Sequence, residues 1–177
     1  MQEVTASTES ERSAVTNTLM EAICSPQNIA AAVRAVVRNK GAPGADGMTV
    51  RDLPDVLTAR WPEIERTLLE GAYQPQPVRR VMIPKPGGDG ERALGIPTVL
   101  DRTIQQAVLQ QLQPLWDPTF SEHSYGFRPA RSAHQAVMQA QAYVTDGYQF
   151  VVDLDLAKFF DASSDYPRIP GETAKRS

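Results

Sequence analysis

The stretch "FVVDLDLAKFFD", Phe150 to Asp161, sets two carboxylates inside a run that is otherwise apolar. Read as a β-strand, its side chains alternate, so Val152, Leu154 and Leu156 share one face while Val151, Asp153 and Asp155 share the other. Both carboxylates then point the same way. Two ionised carboxylates on one face repel each other and lose hydration, an arrangement tolerated when a hard cation such as Mg²⁺ neutralises them. A blander reading is a strand at a sheet edge whose aspartates are solvated or paired with Arg and Lys, and the short Asp-x-Asp pattern leaves both open. Phe159 and Phe160 follow Lys158 where the chain must turn, a costly place for aromatics unless they pack against or gate something.

Around this stretch lie 177 residues, 41% of them hydrophobic, enough for the core of one domain or of a piece of a larger one. A formal charge of −3 and a pI near 5.4 argue against a uniformly basic nucleic-acid binder, although an average hides local patches. The single cysteine, Cys24, excludes an internal disulfide and a Cys-rich zinc site, fits a reducing compartment and reads as a small buried apolar residue. No apolar run approaches the roughly 20 residues of a membrane span, and "MQEVTASTESERS" is too acidic and polar for a signal peptide. The expectation is a soluble, cytoplasmic protein with no membrane partner.

Helical spacing dominates the first part of the chain. A weak pattern runs from about Glu9 to Cys24, then Ser25 and Pro26 read as the cap and first turn of a helix to Asn39, closed by Gly41, with Ile29, Val33, Val36 and Val37 inward. "GAPGADGMT" is an ordered turn. Thr49 and Asp52 form a candidate capping box for a helix ending before Pro62, and a further helix spans about Glu63 to Glu70. From Tyr73 to Thr98 the spacing changes, and two apolar runs flank "PGGDG" as strands joined by a glycine-rich tip. Arg79, Arg80, Lys85 and Arg92 make this hairpin basic within an acidic chain. Thr98 and Asp101 cap a helix to about Leu115 with Ile104, Val108, Leu112 and Leu115 on one face, and Ser132 caps another from Ala133 to about Thr145. Between them, "PLWDPTFSEHSYGFRPARS" is an irregular connection whose Tyr125 and Phe127 read as loop anchors in the core. His123 and His134 have no ligand partner at helical or hairpin spacing, so neither reads as metal-binding.

Three blocks in order, "GAPGADGMT", "VMIPKPGGDGERALGIPTVLDRTIQQAVLQQLQPLWDPTFSEHSYGFRP" and "FVVDLDLAKFFD", resemble the reverse transcriptases, or maturases, of bacterial group II introns over about Asn39 to Asp161. The resemblance implies an α+β fold, right-hand polymerase fingers with an incomplete palm, built from N-terminal helices, a basic β-hairpin and a palm strand. It implies residues 1–40 as an N-terminal helical extension, 41–149 as fingers, 150–161 as the start of the palm and 162–177 as an unrelated polar tail. It gives Asp155 as the catalytic aspartate and metal ligand, Asp153 as its partner, Leu156 as a carbonyl ligand of Mg²⁺, and Phe160 as the steric gate. Lys85 and Arg92 become the residues that hold the triphosphate of a dNTP, while Arg79, Arg80, Arg128 and Arg131 face intron or template RNA. A DNA primer completes the implied partners. Without the resemblance, Lys85 and Arg92 read as solvated hairpin charges.

Two departures are small: Ala93 and Ala130 stand where the family usually has proline and glycine. After Asp161 the text "ASSDYPRIPGETAKRS" cannot supply the family's next helix, and no Tyr-x-Asp-Asp turn or thumb follows. An interrupted reading frame gives this pattern. A two-metal polymerase needs carboxylates from both palm motifs, so the chain alone is expected to be inactive. Three readings stay open: part of a polymerase, a non-catalytic RNA-binding module, and a poorly soluble relic with an unpaired strand.

Overall fold

The computed structural model describes residues 18–88 and 90–156, which divide between Gln111 and Leu112 into two units. The first is mainly helical. Helix α1 occupies 18–24, α2 Pro26–Asn39, α3 Leu53–Leu69, and α4, Val99–Trp116, begins within it. Pro26 supplies the fixed φ of a first helical turn, and Lys40, in a left-handed conformation, closes α2 one residue before the expected Gly41. One core unites the four helices, with Cys24, Val36, Leu53, Leu57, Ile64, Leu68, Val99, Leu100 and Ile104 buried together. Ile23, Ile29, Ala32 and Ala107 form a second cluster. Cys24 is buried as expected, and burial pushes its thiol pKa up.

The expected break at Pro62 does not occur. Helix α3 runs through it because Leu53, Leu57, Ile64 and Leu68 lie on one buried face on both sides of the proline. Pro62 forfeits only the bond to the Thr58 carbonyl, on an exposed stretch open to solvent. Leu115, expected inward, is exposed, and the buried face of α4 is drawn from Val99 to Ala107.

Buried polar side chains pin the helices. Asn28 on α2 donates to the carbonyls of Ile23 (2.8 Å) and Ala107 (3.0 Å), and accepts from Gln110 Nε2 at 2.7 Å. These bonds satisfy an amide that burial would otherwise penalise. The hairpin falls as expected: β1, Arg79–Pro84, pairs antiparallel with β2, Glu91–Ile96.

The second unit holds the end of α4, a 3₁₀ turn at Asp117–Thr119 and α5, Ala133–Thr145. Ser132 caps α5 as expected: its Oγ accepts from Gln135 N at 3.4 Å, and Gln135 Oε1 accepts from Ser132 N at 2.8 Å. The palm strand is corrected. Residues 149–156 adopt neither helix nor strand, and Phe150, Val151, Val152, Leu154 and Leu156 are exposed. Alternation specifies two faces, but a strand also needs a neighbour to bond its backbone, and the described residues supply none. Phe160 and the tail lie outside the described residues.

Candidate functional site

The hairpin register sets Ile83 opposite Arg92, Val81 opposite Leu94 and Arg79 opposite Ile96. Arg92 and Arg79 therefore share a face with these apolar residues, while Arg80 faces the other way with Met82 and Ala93. The Lys85 N–H donates to Gly90 O at 3.0 Å, carrying the ladder one step past β1. Lys85 is thus the diagonal neighbour of Arg92, a relation that spaces Cα atoms by roughly 7–8 Å. The structure brings this pair together at the tip and separates Arg92 from Arg79 by four positions along the ladder, about 13 Å, and Lys85 by six, about 20 Å. Gly87, Gly88 and Gly90 all have positive φ, which lets the tip turn without strain. Arg79 is half-buried with its Nε unpartnered, whereas Arg80, Lys85 and Arg92 are exposed.

The base of the hairpin is locked to α4. Asp101, 3% exposed, accepts from Thr98 Oγ1 (2.6 Å), Tyr73 Oη (2.8 Å) and Gln76 N (3.1 Å). Burial first, and the Asp101 bond second, push the Tyr73 hydroxyl well above its ordinary pKa. Nearby, Gly44 packs on the backbone of Pro97 and Thr98, where a Cβ would sit 2.6 Å from Thr98 Cα. The Arg102 guanidinium occupies the space that a side chain at Gly41 would fill and donates to Ala42 O at 2.9 Å. The "GAPG" turn is thereby fixed against the strand exit that leads into α4. A recess of about 330 Å³ beside Tyr73 carries Asp46, Arg60 and Glu63, a mixed-charge rim with no preference for an anion.

In the second unit, Arg128 is committed to its own loop. Its Nε and Nη2 bind the Asp117 carboxylate at 2.9 and 3.3 Å, and its Nη1 reaches the carbonyls of Ser121 (2.7 Å) and Ser124 (3.2 Å). Arg128 holds the Asp117 carboxyl below the usual aspartate range, and that hydrogen bond raises the Arg128 pKa in turn. With each guanidinium nitrogen engaged, Arg128 offers RNA little. Arg131 lies 5.4 Å from the Tyr125 ring centroid, a cation–π contact on a half-buried ring. Phe127 departs from the core reading: it is fully exposed, at φ +55°. His123 accepts from or donates to Tyr143 Oη at 3.1 Å and sits beside Glu122.

Asp153 and Asp155 belong to this second unit and are exposed, as is Leu156. Among the described residues no three His, Cys, Asp or Glu side chains gather into a set that could hold a metal ion. Two aspartates two positions apart on a segment that is neither helix nor strand do not close a site of the six or more oxygens that a hard cation requires, so no catalytic step follows from them. Sequence reading missed Arg34, Arg38 and Lys40, exposed cations on and just after a helix that contains no acidic residue. That absence of acids was the available signal.

Residues 83–162 match the reverse transcriptase (RNA-dependent DNA polymerase) family. The chain is 40% identical to Protein YkfC of Escherichia coli K12 over 149 residues, 81% of this chain and 39% of that protein. It is 40% identical to the group II intron-encoded protein LtrA of Lactococcus lactis subsp. cremoris over 99 residues, 56% of this chain and 16% of that protein. To nuclear intron maturase 2, mitochondrial, of Arabidopsis thaliana it is 36% identical over 61 residues, 34% of this chain and 8% of that protein. The chain spans well under half the length of these curated relatives. No helix among the described residues is long and apolar enough to cross a membrane. By sequence, the chain is similar to the reverse transcriptases, and among its relatives is a protein encoded by a group II intron.

Proposed function

We propose that this chain is the fingers part of an RNA-directed DNA polymerase of a group II intron, with template or intron RNA, a DNA primer and dNTPs as the partners of the whole protein. The observation that carries the reading is the diagonal placement of Lys85 beside Arg92 at the hairpin tip, inside the segment matched to the reverse transcriptase family. A compact ammonium beside a planar guanidinium suits a phosphate chain: the first neutralises as a point charge, the second bonds two oxygens at once. Arg79, Arg80 and Arg131 are the proposed RNA contacts, with a lesser part for Arg128. Asp155, Asp153 and the Leu156 carbonyl are the proposed contribution to Mg²⁺ binding, Phe160 is the proposed steric gate, and the cytoplasm is the proposed location.

Binding of an RNA oligonucleotide, followed by fluorescence anisotropy between about 50 and 200 mM salt, tests the reading. Affinity falls steeply with salt, and Arg80→Ala and Arg131→Ala each lower the salt slope by about one, while Lys85→Ala and Arg92→Ala weaken binding of a dNTP to the chain. Salt-insensitive binding, or none, refutes it. Primer extension by the chain alone yields no product, because two carboxylates do not hold two metal ions. A second reading, a non-catalytic RNA-binding module, is favoured by Arg34, Arg38 and Lys40, which form no ion pair among the described residues. Under that reading, removing these three weakens RNA binding more than removing Lys85 and Arg92.

A further inference from the structure

We propose that Arg128 is a positioning residue for RNA binding, a role that rests on the reading of Arg131 as an RNA contact: by saturating Asp117 and fixing the turn from Phe127 to Arg131, it keeps the Arg131 guanidinium free to meet a phosphate. The two arginines share one loop and one carboxylate. The Arg128 hydrogen bond chiefly, and the fields of Arg128 and Arg131 after it, hold the Asp117 carboxyl low, so both cations feel the same anion. Arg128 has taken it. Its Nε and Nη2 hold the two carboxylate oxygens, Nη2 also donates to Asp117 O at 2.9 Å, and its guanidinium carbon lies 5.6 Å from the Phe120 ring centroid. With its side chain 10% exposed, it has no open edge for a phosphate.

Arg131 is the opposite case. Among the described residues its guanidinium donates no hydrogen bond and forms no ion pair; it rests over the Tyr125 ring, which leaves its N–H groups available to bond two phosphate oxygens at once. Arg128 also holds the backbone between them. Phe127 and Ala130 have φ +55° and +56°, a left-handed conformation that residues with side chains rarely adopt, and Arg131 N donates to Arg128 O at 3.3 Å across the turn. The bonds from Arg128 Nη1 to the Ser121 and Ser124 carbonyls close the loop over this unfavourable backbone, and the Ser132 cap of α5 fixes its far end. Without Arg128, Asp117 loses its partner and attracts the remaining cation, so Arg131 turns from RNA to the carboxylate. A contact and a positioning residue then differ in additivity: two contacts add, whereas a residue that acts through another does not.

Anisotropy of an RNA oligonucleotide with the 177-residue chain, measured across a range of salt, tests this. Arg131→Ala and Arg128→Ala each lower the salt slope by about one, and the double variant also lowers it by about one rather than about two. Adding Asp117→Asn to Arg128→Ala removes the competing charge and restores the slope, a rescue that a merely structural role does not give. Where Arg128→Ala loses the circular dichroism of its helices, Arg128→Gln, which keeps an amide donor for the loop carbonyls, carries the same expectations. An additive double variant makes Arg128 itself a contact and overturns the proposal. So does an Arg128→Ala slope that stays at the wild-type value, or one that Asp117→Asn fails to restore. Each of these leaves salt-sensitive RNA binding intact, whereas salt-insensitive binding by the unaltered chain refutes the RNA reading and the proposal with it.

Discussion

Replacing Tyr73 by Phe removes one hydroxyl from the joint between the hairpin and the helical core. The Tyr73 Oη donates to Asp101 Oδ1 at 2.8 Å, while Oδ2 keeps Gln76 N and Thr98 Oγ1. A hydrogen bond to a charged group contributes about 1.5–3 kcal/mol. Tyr73 is only half-buried, so the loss falls at the lower end, about 1.5–2 kcal/mol. The ring remains packed against the core, so no cavity adds to this figure. For a unit of this size each kcal/mol moves the melting temperature by about 4–8 °C, giving a fall of about 6–16 °C. Urea unfolding followed through Trp61, packed against the same core, shows a lower midpoint at an unchanged slope. The pH arm has a defined sign. The folded hydroxyl is raised above the ordinary tyrosine value of 10.0, so its contribution is complete below that value. As the pH climbs past it, the unfolded tyrosine ionises first and stability is lost. Wild-type protein therefore loses stability faster than Tyr73→Phe above about pH 10, and the gap between them narrows. An unchanged urea midpoint, or a gap that stays constant into the alkaline range, refutes the joint.

Gly44→Ala drives a Cβ into backbone atoms of Thr98 and Pro97 that cannot rotate away, and calorimetry should show a loss of about 1–3 kcal/mol. Gly47→Ala meets open space and bears only the strain of positive φ, about 1 kcal/mol, so the two separate crowding from conformation. Ser132→Ala removes one half of the α5 capping box, costs about 1 kcal/mol, and should speed amide exchange in the first turn of that helix. Because Arg128 depresses the Asp117 carboxyl, their pairing is complete above the ordinary aspartate pKa and is lost as pH falls through the lowered one. NMR of the Arg128 Nε–H follows that loss, and a signal that broadens already near pH 5 contradicts it.

What the sequence disclosed depends on how local the deciding interaction is. Ser132 and Gln135 are three residues apart and reveal their cap in the text, and the glycine-rich tip reveals the hairpin. Pro62 misleads because a local rule is overruled by packing: four buried residues of α3 outweigh one missing backbone bond. The stretch from Phe150 to Leu156 misleads for the opposite reason. Its alternation is real, but a strand is defined by a distant partner that alternation does not name. Phe127 had no readable signal, since its exposure follows from a backbone turn held by Arg128 and Asp117 eleven residues apart.

The motifs that carry the family resemblance divide by what they do in space. "GAPG" and "GIPTVLDR" lie more than fifty residues apart in sequence yet meet where Gly44 touches Thr98, Gly41 makes room for Arg102, and Arg102 reaches Ala42. Asp101 then gathers Tyr73 and Gln76, so these blocks are tied to each other and to the foot of the hairpin. Their residue types are dictated by packing and hydrogen bonding, whatever chemistry the whole protein performs. Lys85 and Arg92 are the converse: exposed, at the end of a two-stranded ladder, adding nothing to the core. A mutation in the first group should therefore change stability and carry binding down with it. One in the second should change RNA or phosphate binding at constant stability, so measuring both quantities on Gly44→Ala and Arg92→Ala separates scaffold from site.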